Sequence, residues 1–474
     1  MRAGRMGGIV GGVAMRVVLG VSHYAPAYMG GAEVLTEKVA RWLVSRGHSV
    51  EVICVETIDA ESHLSVQTEN RDGVVVHRLG LKLAGTGEHL GLRYRDDALG
   101  EWLGHLFMRS RPDLFHSQSG YLLTASTLEA ARRAGLPTVV TLHDSWFLCP
   151  RITLTRSNGE RCVGVATPAD CTWCLMAERR RYKLVELAAA KIGKPRQQGE
   201  SDRGPLAWPL DPALRTRLED RRVYLDAMLR GVDQILVLAP LTRQLLLERG
   251  FSPARLRLIP SGLDLSDWKG LPRAPTNGAL RIGYLGQVAP HKGIHLLIRA
   301  FQQLATTVRS PELHVHGEET RFPKYAKRLK QLAGDNPGIR FWGRYENASV
   351  EAILARLDVV VVPSTFFEVR PVVIMEAFAA GVPVIATRLP NMQYQVHDEV
   401  DGLLFAPGDV SDLARQLRRL TDEPDLVRRL GKNIRPVRTI DQEMAETESV
   451  YRVLLANKTA RVSESVPALE GRRI

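Results

Sequence analysis

The chain alternates short runs of apolar, β-forming residues with longer segments in which apolar residues recur every three or four positions. MRVVLGV at residues 15–21 reads as a buried strand. It leads through a loop holding Pro26 and Gly30-Gly31 into a helical pattern with Val34, Leu35, Val39, Trp42 and Leu43 on one face. Gly47 closes that helix and SVEVICV supplies the next strand, so the order predicts a right-handed crossover unit of a parallel sheet. VVVHRL, DLFHS, a helix from about Leu122 to Ala134 and TVVTLH continue the rhythm. Residues 149–222 break it and read as an insertion that is partly loop, after which DQILVLA and RLRLIPSG resume the pattern.

A Pro-rich linker, LPRAPTNG at residues 271–278, then separates a second alternation: RIGYLGQV, LHVHG, IRFWG, LDVVVVPS and PVIAT are short apolar strands divided by helical segments. The expected fold is α/β, two Rossmann-like domains facing each other across a cleft. The expected bounds are an N-terminal extension at 1–14, a first domain at 15–270 with its insertion at 149–222, and a second domain at 279–435. A helix at 436–456 is expected to pack back on the first domain, and a polar tail to occupy 457–474.

Composition narrows this only a little. With 45% apolar and 24% charged residues over 474 positions, the chain has the make-up of a folded globular protein. Charges interrupt every long apolar run before it reaches the roughly 20 residues that cross a bilayer. A formal charge of +12 implies an anionic partner, such as nucleotide phosphate, a polyprenyl-phosphate acceptor or an acidic membrane, or else simply solvated basic faces. An export signal is missing from the pattern, so a cytoplasmic location is expected, with peripheral contact at the inner face of the plasma membrane.

The chemistry concentrates in VVVVPSTFFEVRPVVIMEAFAAGVPVIAT, residues 359–387. A buried strand ends at Pro363-Ser364, Pro371 suits the first helical position and Gly381 the helix C-terminus. Glu368 precedes the helix and Glu376 lies on its second turn. Carboxylates accept hydrogen bonds from vicinal hydroxyls, and the helix start between them, with Val372 in its first turn, offers free N–H groups to phosphate. A structural Glu376 and a solvated Glu368 are the alternative.

The segment resembles the E-x7-E region of family-4 retaining glycosyltransferases of the GT-B fold. The resemblance takes in GGAE at 30–33, TLHDSWFLCP at 141–150, IPSGLD at 259–264, LGQVAPHKG at 285–293, Gly343, Pro363-Ser364, EAFAAGVPVIAT and GLLFAPGD at 402–409. It implies transfer of a hexosyl unit from a nucleotide diphosphate sugar to a glycan or lipid-linked acceptor, with retention and with no cofactor for catalysis. By the same resemblance Lys292 pairs with the donor diphosphate, Glu368 holds the sugar hydroxyls and Glu376 the ribose. The Gly30-Gly31 loop lets backbone amides approach the donor or the acceptor, and His143 faces the donor as a neutral imidazole. Two departures stand out. Gln287 occupies the place where relatives carry an arginine, and Val369-Arg370-Pro371 replaces a Gly-Phe-Gly turn, which makes Arg370 the candidate to restore the missing charge.

Cys149, Cys162, Cys171 and Cys174 follow in a C-x12-C-x8-C-x2-C pattern, and four thiolates suit a structural zinc, with unmetallated thiols as the alternative and an iron–sulfur centre as a further one. The basic stretch from Arg179 to Arg222, with Tyr182 and Trp208, suits an anionic lipid surface or is a solvated insertion. Rival readings are a GT-B protein that binds sugar nucleotide without transferring it, an epimerase or phosphorylase on the same architecture, and a basic zinc protein for nucleic acid. The last lacks the aromatic-basic surface motifs of nucleic-acid folds, so no nucleic-acid partner is expected.

Overall fold

The computed structural model describes residues 13–26, 30–83, 90–162, 164–192, 199, 203–274, 278–304 and 311–464. The N-terminal extension expected at 1–14 lies almost wholly outside the described residues, as do 275–277 of the linker and 193–198 and 200–202 of the insertion.

Among the described residues the first sheet contains β1 (Arg16–Gly20), β2 (Ser49–Thr57), β3 (Ser65–Arg71), β4 (Val74–Gly80), β5 (Leu114–Ser117), β6 (Thr138–Leu142), β7 (Gln234–Val237) and β8 (Leu256–Leu258). The second contains β9 (Arg281–Leu285), β10 (Glu312–His316), β11 (Ile339–Gly343), β12 (Val359–Val362), β13 (Val384–Thr387) and β14 (Gly402–Phe405). Their orders are β3-β4-β2-β1-β5-β6-β7-β8 and β11-β10-β9-β12-β13-β14. With the antiparallel edge strand β3 set aside, each order reverses once, between β1 and β5 in the first sheet and between β9 and β12 in the second. Ligands of open parallel sheets bind at such switch points, beyond the carboxyl ends of the strands.

In chain order the first helices are α1 (Gly31–Ser45), α2 (Asp97–Ser110), α3 (Ser126–Arg133), α4 (Pro168–Met176), α5 (Arg180–Lys191), α6 (Pro212–Gly231) and α7 (Pro240–Glu248). They are followed by α8 (Ile294–Phe301), α9 (Pro323–Ala333), α10 (Val350–Leu354), α11 (Val372–Ala379), α12 (Pro390–Gln393), α13 (Val410–Asp422), α14 (Pro424–Lys432) and α15 (Ile440–Glu464).

Several elements differ from the sequence reading for local reasons. The helix expected from Leu122 starts only at Ser126, because Leu122 and Thr124 take left-handed backbone angles of φ 66° and 59°. Strand β3 pairs antiparallel with β4 and carries the polar sequence SVQTENR on an exposed edge, so it has no apolar alternation to read. Among its described residues the insertion holds α4, α5 and the start of α6, joined by loop. The final helix continues to Glu464, past the expected start of the tail at 457, while 465–474 lie outside the described residues.

The chain divides into two compact units, Met1–Leu142 with Asp220–Leu236 and Met444–Ile474, and His143–Glu219 with Val237–Glu443. In the first unit Tyr451 of α15 is fully buried and its hydroxyl lies 2.5 Å from His116 Nδ1 on β5. In the second, strand alternation splits the core into two layers. Val359, Val361, Ile385, Leu403 and Phe405 pack on one face, and Val360, Val362, Val384, Ala386 and Leu404 on the other. A parallel sheet buried on both faces leaves its polar chemistry to the strand ends.

Candidate active site

The site grows from the two loops at the switch point of the second sheet. The loop after β9 runs through Gly286 and Gln287 to a short 3-10 turn at Pro290–Lys292, and Gly293 is the N-cap of α8. Gly293 has φ 74°, and a Cβ there would stand 1.9 Å from the Pro363 carbonyl oxygen. Only glycine lets the start of α8 lie this close to the end of β12. A second clamp comes from Thr365, whose N–H and hydroxyl both donate to the His291 carbonyl, at 2.9 and 3.1 Å.

This closeness brings Lys292 and Glu368 together. Lys292 Nζ donates to Glu368 Oε1 at 2.7 Å, and Ser364 Oγ donates to the same oxygen at 2.5 Å. Both bonds fall on Oε1, leaving Oε2 with no hydrogen-bond partner among the described residues. The Glu368 carbonyl accepts from Asn391 Nδ2 at 2.8 Å, which fixes the loop backbone as well as the side chain. Phe366 lies beneath the lysine, its ring centroid 5.1 Å from Nζ, and packs edge-on against His291. Burial, and then the charge of Lys292, pushes His291 down to about 4, so its imidazole is neutral at pH 7.

Helix α11 begins at Val372, one residue later than the sequence suggested, with Pro371 as its N-cap. No side chain caps it, and Gly381 follows its C-terminal cap with φ 70°. An uncapped helix start keeps amide hydrogens available to an anion. Glu376 is half-buried on this helix, close enough to Tyr345 that its charge, after burial, raises the phenol.

Arg370 is set differently from the expectation. Its Nη2 points to Met375 Sδ at 3.2 Å and its buried Nε has no hydrogen-bond partner among the described residues. Burial pushes it down to about 10, and the charges acting on it are Tyr394, Glu443 and Arg438 rather than Lys292 or Glu368. Gln287 lends its backbone to the site's support, its carbonyl accepting from the Tyr284 hydroxyl at 2.7 Å.

His143 follows directly after β6, is half-buried and is held down to about 4 by burial, again neutral at pH 7. In the first unit the Gly30 N–H is taken by the Glu33 carboxylate at 3.0 Å, while a Cβ at Gly31 would meet nothing within 4 Å. Ser364, Thr365, His291 and Asn391 carry contacts that sequence reasoning did not assign. Ser364 at a strand end was the one readable signal.

In the insertion, the four cysteines line one cavity together with Arg151, Arg156 and Asp170. Burial raises Cys162 and Cys174 to about 11 and Cys171 further, so these thiols are protonated at neutral pH. Among the described residues no group of three or more His, Cys, Asp or Glu side chains is arranged to hold a metal ion. Helix α5 turns Leu184, Leu187 and Lys191 outward on one face, next to Arg180 and Lys183, with both leucines more than half exposed. No described helix is long and apolar enough to cross a membrane.

Two doubly wound units with chemistry at the strand ends are the architecture of GT-B glycosyltransferases, and solved structures of that class share the fold. Sucrose-phosphate synthase from Thermosynechococcus elongatus is similar with a TM-score of 0.62 at 19% identity, over 94% of this chain and 100% of that one. HepE from Anabaena in complex with UDP and glucose is similar with a TM-score of 0.58 at 16% identity, over 95% and 100%.

Residues 274–437 match the family model described as Glycosyl transferases group 1, and residues 30–262 match the Glycosyl transferase 4-like domain. The chain thus carries both domains of a GT-B glycosyltransferase. Among curated relatives, glycogen synthase of Mycobacterium tuberculosis is 29% identical over 191 residues, 40% of this chain and 45% of that protein. The match spans about half the length of that relative.

Proposed function

We propose that the chain moves a hexosyl unit from a nucleotide diphosphate sugar to a hydroxyl of a glycan or lipid-linked acceptor, in polysaccharide assembly, with retention at the anomeric carbon. The observation that carries this reading is the Glu368 carboxylate at a sheet switch point, anchored through one oxygen by Lys292 and Ser364. Its other oxygen is left to accept hydrogen bonds from the sugar hydroxyls. Lys292 spends one of its three N–H donors on Glu368 and keeps the others for the diphosphate. The amides at Val372 and the backbone around Gln287 complete the phosphate cradle, Glu376 holds the ribose, and Gly30-Gly31 admits donor or acceptor close to backbone.

In the transfer step the bond from the anomeric carbon to the diphosphate oxygen breaks, and a bond to the acceptor oxygen forms on the same face. The acceptor proton passes to the departing phosphate oxygen, so neither a protein nucleophile nor a metal ion enters the chemistry. Lys292 and the α11 start stabilise the charge that develops on the diphosphate. Neutral His143 serves as a hydrogen-bonding partner to the sugar or the acceptor hydroxyl.

The outward face of α5 supports a peripheral contact with anionic membrane, since leucines beside arginine and lysine suit the headgroup boundary. Co-sedimentation with phosphatidylglycerol vesicles that salt abolishes is expected; equal binding to neutral vesicles, or none, removes the contact. The test of the transfer itself is incubation with nucleotide diphosphate hexoses and lipid-extracted or oligosaccharide acceptors. Acceptor-dependent nucleoside diphosphate release, with an anomeric NMR signal matching the donor's configuration, is expected. An inverted product rejects retention, and donor binding without release supports the non-transferring reading.

A further inference from the structure

The four cysteines come from three different local structures that converge on one cavity. Cys149 ends a tight turn, its N–H bonded to the Ser145 carbonyl at 2.7 Å. Cys162 closes a small hairpin: Thr155 and Arg161 pair antiparallel, Arg156 N–H donates to the Glu160 carbonyl at 2.7 Å, and Cys162 N–H donates to the Leu154 carbonyl at 2.8 Å. Cys171 and Cys174 lie three residues apart on α4 and therefore on one face of it. That helix is fixed at its start by a reciprocal cap between Thr167 and Asp170.

Each of the four thiols is close enough to the other three for their charges to interact, so all six pairings are near neighbours. Cys149 and Leu154 belong to the core of the second sheet, whereas Trp173, Met176 and Ala177 of the α4 region form a separate small cluster with Tyr182, Val185, Leu210 and Leu214. A hairpin and a helix with so small a shared core gain most from a cross-link between them.

We propose that Cys149, Cys162, Cys171 and Cys174 form a structural site for one zinc-class divalent cation, which ties the hairpin to α4. The sulfurs line the cavity without being gathered on one point, so binding includes rotation of the cysteine side chains inward. The thiol protons displaced by the metal pass to solvent. Four sulfur ligands and no fifth position make the site closed and structural, separate from the sugar-transfer chemistry. The inference does not rest on the proposed transferase activity.

Elemental analysis of the full chain, purified without chelator, is expected to find about one zinc per chain, and a paired Cys171→Ser/Cys174→Ser variant to lose it. Should that variant fail to fold, cobalt(II) added to metal-stripped wild-type protein decides. The sulfur-to-cobalt charge-transfer and tetrahedral ligand-field bands of a thiolate site are expected. Metal-free protein that gives no cobalt bands and four freely titrating thiols overturns the proposal. Iron with inorganic sulfide in place of zinc, or a folded double variant that keeps its zinc, overturns it equally.

Discussion

Lys292 and Glu368 lie 76 residues apart in the chain, yet their side chains meet at 2.7 Å because Gly293 lets the start of α8 rest against the end of β12. The ammonium both neutralises the carboxylate and aims it, and Ser364 completes the grip on the same oxygen. Replacing Glu368 by Gln keeps the shape and removes the charge. A fall in kcat of about 100-fold or more is expected, with a smaller change in the donor KM, as for loss of a preorganised transition-state contact. A variant within about threefold of wild type in steady-state assays removes Glu368 from the chemistry.

The buried Nε of Arg370 has no hydrogen-bond partner among the described residues, and a buried N–H left in this way costs stability unless an acceptor, such as an anionic group of the donor, completes it. Arg370→Ala is expected to raise the donor KM about tenfold with little change in kcat, the mark of lost uniform binding. An unchanged donor KM assigns Arg370 to the contacts around Tyr394 and Glu443 instead.

Gly293→Ala introduces a methyl group 1.9 Å from the Pro363 carbonyl oxygen at a residue with φ 74°. Something must shift, and the shift separates Lys292 from Glu368. The expected result is a loss of about 2 kcal/mol or more in denaturant unfolding together with loss of transfer. Wild-type stability and activity in this variant contradict the close approach.

Burial holds His143 and His291 down to about 4, against an ordinary value of 6.5. Between those values the unfolded chain binds protons that the folded chain refuses, so unfolding gains as pH falls. The stability these groups contribute is whole above about 6.5 and is lost as pH drops toward about 4. Thermal unfolding midpoints are expected to fall across this window, and less steeply for His291→Gln. A variant profile parallel to the wild type contradicts the assignment for His291.

What the sequence made legible were features written within a few residues of one another. Alternating strands and helices, Glu368 and Glu376 about a helix start, and Gly381 behind its end all follow from local periodicity and turn chemistry. The strand order that puts Lys292 beside Glu368 depends on pairing across the sheet, and periodicity does not encode it. Asn391 holding the Glu368 carbonyl carries no motif, since any polar residue at that spacing reads alike. Arg370 was read from its position after Glu368, but the groups that surround it, Tyr394 just past α12, Arg438, and Glu443 of α15, are tied to it by no local pattern. The cysteine spacing was plain, but the hairpin and helix that collect the four thiols in one cavity were not.

The most direct measurement is a thermal-shift titration of the purified chain with UDP-, GDP-, ADP- and TDP-sugars, alongside Glu376→Ala and Lys292→Ala proteins. A donor at a hundred times its dissociation constant adds about 2.7 kcal/mol to the folded state. The account predicts a selective shift with one nucleotide class that both substitutions diminish. No shift with any donor, or a shift that both variants retain in full, contradicts a donor site built on the ends of β9 and β12.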